Sequence, residues 1–267
     1  MKYTENDFVW EIQRFLSLMG FYIPSRIDGL YGNETLKSLQ MCKEVHSSLC
    51  VKEELSLDEL MNLYQTMQSI LQQYAPSVTR NQTTIVDDID RIGSLMGLTD
   101  PMKAYVLATI QHETSGKMIP VEEAFYLPSP KREEIQRGFK YYPYFGRGDV
   151  QFTWKANYEW LSKLFSPVTS YVDGELTDVQ TNFVLHPENM LNPQISLIAT
   201  LVGMKLGLFR RNHLLERYFN ELGDDAFNAR LIINGMVDGQ PDKAELIESY
   251  YKVWLKTISN KKLQGRT

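Results

Sequence analysis

Glu113 and Glu122 stand nine residues apart, the first at the end of an apolar-striped segment, the second in a stretch rich in Pro, Gly and Tyr. Two carboxylates in different settings can divide the hydrolysis of a glycosidic bond. One, protonated, donates to the leaving oxygen; the other, ionised, activates water or holds the oxocarbenium charge. Desolvation beside aromatic loops raises a carboxyl pKa, so Glu113 is expected to be the acid and Glu122, on the following loop, the base. Glu123 is a rival for the base. His112 is a rival general base, although a His beside such a Glu more often serves as its hydrogen-bond partner. A single glutamate at a helix end is usually just solvated, so the pair needs further support.

That support is a string of polar residues further on. It runs Phe145-Gly146-Arg147-Gly148-Asp149-Val150-Gln151-Phe152-Thr153-Trp154-Lys155-Ala156-Asn157-Tyr158, and Ile232-Ile233-Asn234-Gly235 follows near the end. Amide side chains both donate and accept, which suits acetamido and hydroxyl groups of N-acetyl sugars. Together with Gln111-His112-Glu113-Thr114-Ser115-Gly116, this ordered set resembles the family 19 glycoside hydrolases. That chitinase-like group includes many phage lysozymes, and the resemblance spans roughly residues 90–255. It implies catalytic Glu113 and Glu122, a Thr153 hydroxyl that positions the water, and sugar-binding amides at Gln151, Asn157 and Asn234. It also implies a single-displacement, inverting mechanism with no cofactor. Arg147 is expected in a scaffold ion pair near the carboxylates. Tyr126, Tyr141, Tyr142 and Tyr144 either stack on sugar rings or plug the domain.

A second constellation lies near the N-terminus. Ile12-Gln13, Leu16 and Gly20-Phe21 precede Ile27-Asp28-Gly29-Leu30-Tyr31-Gly32-Asn33-Glu34-Thr35. Asp28-Gly29 and Gly32 permit positive φ in a tight loop, and Leu30 and Tyr31 are expected to plug it into the core. The set resembles the three-helix peptidoglycan-binding module carried by many wall hydrolases. Cys42-Lys43 stands where that family usually has an aromatic-Gln pair. Asp28, Gly29, Tyr31, Arg26 and Tyr22 are the candidate wall-binding residues.

The elements that must position these groups read as helices nearly throughout. Phe8, Ile12, Phe15, Leu16 and Met19 share a face that Gly20 closes, Asn33 is a plausible N-cap, and Leu57 to Tyr74 form a third stripe under Ser56 or Asp58. The polar, aperiodic segment 76–84 reads as a linker. Beyond it, one helix carries Ile85, Ile89, Ile92 and Met96, and Asp100-Pro101 opens the next. Residues 116–150 read as loops with a short β-hairpin. Helices are then expected over 156–165, 193–207, 212–222, 224–233 and 241–258. The predicted fold is mainly α: a wall-binding domain at 1–75, the linker at 76–84 and a lysozyme-like catalytic domain at 85–267.

Composition bounds the partners. The chain has 267 residues, 43% hydrophobic and 23% charged, which is ordinary for a domain with a buried core. A net charge of -5 argues against a generic nucleic-acid binder; residues 1–76 carry six Lys/Arg against ten Asp/Glu, a net of -4. His46, His112, His186 and His213 are scattered without metal-ligand spacing, so no metal is expected. Cys42 and Cys50 make no disulfide framework and read as free thiols. The first residues lack an apolar signal region, and the longest apolar run is far shorter than a membrane span. The resemblances then imply a monomeric endolysin made in the host bacterial cytoplasm. It would reach the periplasmic wall through a holin-type pore and cleave the β-1,4 bond between N-acetylmuramic acid and N-acetylglucosamine. The alternatives are a chitinase acting on N-acetylglucosamine polymers and an inactive wall-binding or virion structural protein.

Overall fold

The computed structural model describes residues 3–168, 171–172, 175–176, 181–235 and 241–264, and the fold is mainly helical. In chain order the elements begin with α1 (Glu5–Leu18), α2 (Asn33–Val45), α3 (Leu57–Leu71), α4 (Gln82–Leu95) and α5 (Asp100–Glu113). Then come β1 (Val121–Glu122), α6 (Ser129–Arg137), β2 (Arg147–Gly148), α7 (Lys155–Phe165), β3 (Tyr171–Val172) and β4 (Glu175–Leu176). The chain continues through α8 (Pro193–Leu206), α9 (Leu215–Tyr218), β5 (Phe219–Asn220), β6 (Gly223–Asp224) and α10 (Pro241–Gln264). Each strand pair is antiparallel and two residues long.

The helix starts follow local chemistry. Thr4 and Asp7 form a reciprocal capping box at α1, Ser56 and Glu59 do the same at α3, and Asn81 accepts from Thr83 N and Thr84 N at α4. α2 differs by one residue from expectation: Asn33 is its first helical residue and Gly32 its N-cap.

Two compact units result, Met1–Ala75 with Lys155–Asn189, and Pro76–Trp154 with Met190–Thr267. This division differs from the boundary read from sequence, because α7 and the segment after it pack in the first unit. Within that unit Val168 N donates to Glu11 Oε1 at 2.7 Å, and Ser166 Oγ bonds Thr181. The expected linker at 76–84 is tied into the second unit. Ser77 N donates to Asp88 at 2.7 Å, and Arg80 reaches Met118 O, Pro193 O and Asp149.

In the first unit the α1 stripe of Phe8, Ile12, Phe15, Leu16 and Met19 is buried against α3, which contributes Leu60, Leu63 and Met67. Gln13, fully buried, organises the loop before α2. The two hydrogens of its Nε2 group are shared among Asp28 Oδ1 (2.9 Å), Leu30 O (3.1 Å) and Thr35 Oγ1 (3.0 Å), while Oε1 accepts from Asp28 N and Gly29 N. Gly29 has φ +76, and a Cβ there would lie 3.0 Å from Asn6 O, so glycine is required by both backbone and space. Leu30 corrects the sequence reading: it is 60% exposed, and the loop is held by polar bonds to Gln13 instead of by a leucine plug. Gln13→Leu should leave the buried Gly29 N–H without an acceptor. The expected loss is about 1–3 kcal/mol, read as a lower urea midpoint at unchanged slope. An unmoved midpoint would show that the loop holds without Gln13.

In the second unit α5 runs through the core with Ala104, Tyr105, Val106, Leu107, Ala108 and Ile110 buried, and α10 packs along it. Trp254 Nε1 donates to Gln111 Oε1 at 2.7 Å across that contact. Lys103, almost wholly buried on α5, is neutralised by Asp90 at 2.7 Å and Asp100 at 3.0 Å. Three expected elements change. Ser129–Arg137 is a helix inside the stretch read as loops, 212–222 holds only the one-turn α9 before the β5–β6 hairpin, and 224–233 holds only a 3-10 turn at Asn228–Ile232. α10 runs past 258 to Gln264, where Lys261 pairs with Asp87 and Lys262 with Asp100.

Candidate active site

Glu113 is the last residue of α5, and Thr114, Ser115 and Gly116 turn the chain away at once. Thr114 Oγ1 donates to Ile110 O and accepts from Met118 N, while Ser115 and Gly116 adopt φ +50 and +77. The abrupt stop leaves the Glu113 carboxylate at the helix end with 11% of its side chain exposed. Arg230 Nη1 donates to its Oε1 at 2.6 Å, and Asn234 Nδ2 reaches the same oxygen at 3.5 Å. Both come from the 3-10 turn at 228–232 and the residues just after it, so two side chains four apart converge on one carboxylate. Asn234 belongs to the Ile232-Ile233-Asn234-Gly235 motif that the sequence marks. Arg230 lies outside that motif, although its place four residues before Asn234 in Arg-Leu-Ile-Ile-Asn is the spacing that brings two side chains to one side of a helical turn.

Glu122 sits on β1, paired in register with Arg147 on β2. Its Oε1 lies 2.9 Å from Arg132 Nε on α6, with about a quarter of each side chain exposed. Arg132 carries no sequence signal, because α6 lacks the apolar stripe that marks a helix. The neighbouring glutamate behaves differently. Glu123 Oε1 accepts from Tyr141 Oη at 2.9 Å and Oε2 from Gly146 N at 3.0 Å, while its own N–H donates to Gly146 O at 2.7 Å. Gln136 Nε2 holds the Glu123 carbonyl at 2.8 Å. Burial and the adjacent Glu123 charge push the Tyr141 hydroxyl up to about 12, so it stays a donor. Glu123 therefore pins the β1–β2 frame, and of the two neighbours Glu122 is the one left with an ion pair at its carboxylate.

The β2 turn carries the rest of the motif. Arg147 is buried, donates to Pro143 O and Phe145 O, and lies over the Phe145 ring at 3.7 Å, so it braces the loop's carbonyls. Arg147 and Phe152 exchange two backbone bonds, closing a tight loop in which Gln151 takes φ +57. Gln151 Nε2 donates to Val121 O at 3.1 Å and Gly148 O at 3.4 Å, tying β1 to the loop, and a Cβ at Gly146 would lie 2.7 Å from Gln151 Oε1. Thr153 Oγ1 donates to Gln151 O at 2.8 Å. Beneath the loop, Asp149 is fully buried and pairs with Arg80 at 2.9 Å, while its N–H donates to Ser196 Oγ.

Several aromatic side chains of the loops on either side of β1 and β2 are open to solvent. Tyr126 is 77% exposed and Tyr142 and Trp154 are half exposed. Trp154 holds φ +74, costly for a bulky side chain, and is fixed by its N–H to Tyr144 O and by the edge of Tyr141 at 5.2 Å. Burial lowers the pKa of His112, which favours the neutral ring.

Asn157 lies on α7 in the first unit, where its Oδ1 accepts from Trp160 Nε1 at 3.0 Å. The first-unit candidates also separate. Tyr22 is buried, with its hydroxyl donating to Arg26 O, and so is not a surface contact. Arg26 pairs with Glu34, Asp28 accepts from Gln13 and Leu30 N, and Tyr31 Oη donates to Lys52 O. Among the described residues no three His, Cys, Asp or Glu side chains gather as a metal site, no helix is long and apolar enough to cross a membrane, and no disulfide joins the buried Cys42 to the exposed Cys50. Comparison with protein-family models, with curated proteins and with solved structures finds no match to the chain.

Proposed function

We propose that the chain is an endolysin that hydrolyses the β-1,4 bond between N-acetylmuramic acid and N-acetylglucosamine in bacterial peptidoglycan. The observation that carries the reading is the arrangement of glutamates at the end of α5 and on β1. Glu113 and Glu122 each face one arginine from a different element, whereas Glu123 is absorbed by the frame. Once substrate draws Glu113 from Arg230, its carboxylate would take a proton from solvent and pass it to the glycosidic oxygen, and Glu122 would take the proton of the attacking water. Asn234, beside Glu113, offers an amide to an acetamido group. Gln151 contributes mainly by holding β1, since its amide hydrogens go to Val121 O and Gly148 O. Thr153, one residue from the exposed Trp154, would orient the water as the family resemblance implies. The first unit would keep the enzyme on the insoluble wall, where tethering raises effective concentration.

The same chemistry serves a chitinase, so the test has two arms. Purified protein should clear suspensions of outer-membrane-permeabilised Gram-negative cells and act far more slowly on N-acetylglucosamine oligomers. NMR of the first product should show the α anomer from a β-linked substrate, as a single displacement requires. A β product would overturn the inverting mechanism, and faster action on the oligomers would favour the chitinase. No activity on either substrate would return the chain to a binding or structural role.

A further inference from the structure

The first unit holds a recess that lies apart from the Asp28–Tyr31 loop. About 480 Å³ in volume, it is lined by Tyr3, Glu11, Arg14, Phe15, Tyr64 and Gln68 among others. Its wall is aromatic. Tyr64 stacks on Phe15 with centroids 5.4 Å apart, and Tyr3 lies 6.4 Å from Tyr64. Phe15 is buried and Tyr3 is 40% exposed, so the aromatic wall runs from core to surface and offers ring area at its mouth. Its polar groups both donate and accept: Gln68 Nε2 donates to Tyr64 Oη at 2.7 Å, and the same side-chain amide carries an accepting carbonyl oxygen.

Charge narrows the ligand. Arg14 and Glu11 are the charged lining groups, and they cancel: Arg14 Nε and Nη2 both donate to Glu11 Oε2, at 2.8 and 2.7 Å. Glu11 is almost wholly buried, and its other oxygen accepts from Val168 N, so its carboxylate is satisfied and the pair brings no net charge to the recess. The surrounding segment, residues 1–76, is net acidic, which further disfavours an anion. A neutral ligand with flat apolar faces and a rim of hydroxyl and amide groups meets each of these conditions: aromatic area for its C–H faces, an amide for its amide, and no net charge.

We propose that this recess binds N-acetylated amino sugars of a glycan chain, making the face of α1 and α3, instead of the Asp28 loop, the carbohydrate contact of the first unit. The proposal rests on the wall-hydrolase reading for its biological source, while the chemistry of the recess stands independently. Peptide stems of the wall, which carry free carboxylates, are the competing ligand.

The test uses the full chain carrying Glu113→Gln to prevent turnover, titrated with a soluble β-1,4 N-acetylglucosamine oligomer and followed by protein NMR. Saturable shifts of the Arg14 Nε–H and Gln68 side-chain amide signals are expected. Gln68→Ala and Tyr3→Ala, both at exposed positions, should weaken that binding about tenfold or more, in line with the loss of one good contact. If the Arg14 and Gln68 signals stay still at millimolar ligand, the proposal is overturned. Signals around Glu113 and Asn234 report separately whether the hydrolase reading falls with it. Shifts produced by a stem tetrapeptide and not by the oligomer would also overturn it, in favour of peptide recognition.

Discussion

Replacing Glu113 by glutamine is expected to remove most bond-cleaving activity while leaving a folded protein. The amide keeps the volume and one oxygen able to accept from Arg230 and Asn234, but it cannot deliver a proton to a leaving oxygen. General acid–base groups commonly contribute about 10²–10⁴-fold in rate, and a loss of that order should appear in kcat with KM little changed. Glu122→Gln should lose a comparable amount for the opposite reason, because an amide cannot take a proton from water. Glu123→Gln is the control. Its remaining oxygen can hold Gly146 N, and its new N–H₂ group can donate to Tyr141 Oη, so activity should fall far less. Thr153→Ala should lie between, having lost a hydroxyl rather than a charge. Wall turbidity and circular dichroism, measured side by side, check the set. Full activity in Glu113→Gln with a native spectrum would sink the assignment of the acid.

The largest effect on stability is expected at Arg80. Its guanidinium is buried against Asp149, which has one oxygen with no hydrogen-bond partner, so removing the cation leaves a carboxylate in the interior with little else to hold its charge. Taking away one member of a buried pair typically costs about 3–5 kcal/mol, and Arg80→Met should fall in that range by urea unfolding. Arg80 also supplies N–H groups to Met118 O and Pro193 O, so part of the loss is those bonds. Asp149→Leu placed on top of Arg80→Met should recover much of the cost, because no buried charge then remains; the double-mutant cycle measures the coupling. Acidity should act in the same direction. Burial raises the Asp149 pKa in the folded state, and Arg80 is the chief group opposing that rise. A carboxyl whose folded pKa lies above its unfolded value favours folding at acidic pH and loses that contribution as pH rises through the folded pKa. Arg80→Met should therefore be least destabilised in acid and most at neutral pH. An equal deficit at both would argue that the lost carbonyl bonds, and not the charge, set the cost.

Some of this protein was legible in its residues alone. The α1 and α3 stripes, the Thr4 and Ser56 boxes and the Asn81 cap act within a turn or two of chain, so the mainly α fold could be read locally. A pairing between 116 and 150 was also foreseeable, although β1 and β2 are joined by a long connection that contains α6. α6 leaves no mark in the pattern because its Lys-Arg-Glu-Glu run has almost no apolar stripe, and among its residues only Gln136 is buried. At 212–222 the helical reading failed because Asn220 bonds back to Glu216 O and Arg217 O and turns the chain into β5–β6.

What the chain could not disclose by itself is which distant groups meet. Glu122 and Glu123 are equivalent as neighbours in sequence; only the approach of Tyr141 and Gly146 assigns Glu123 to the frame, while Arg132 arrives at Glu122 from a helix that periodicity did not reveal. Arg230 meets Glu113 across 117 residues of chain. Lys155–Asn189 joins the first unit because α7, with Tyr158, Trp160, Leu161 and Leu164 buried, packs beside α1 and the 3-10 turn at Pro24–Arg26, a choice made by long-range burial and not by any local signal. Local propensity and caps determine the elements, because their energies lie within a turn. Pairing of charges and grouping of units is decided by tertiary packing, because those energies depend on distances that sequence spacing does not encode.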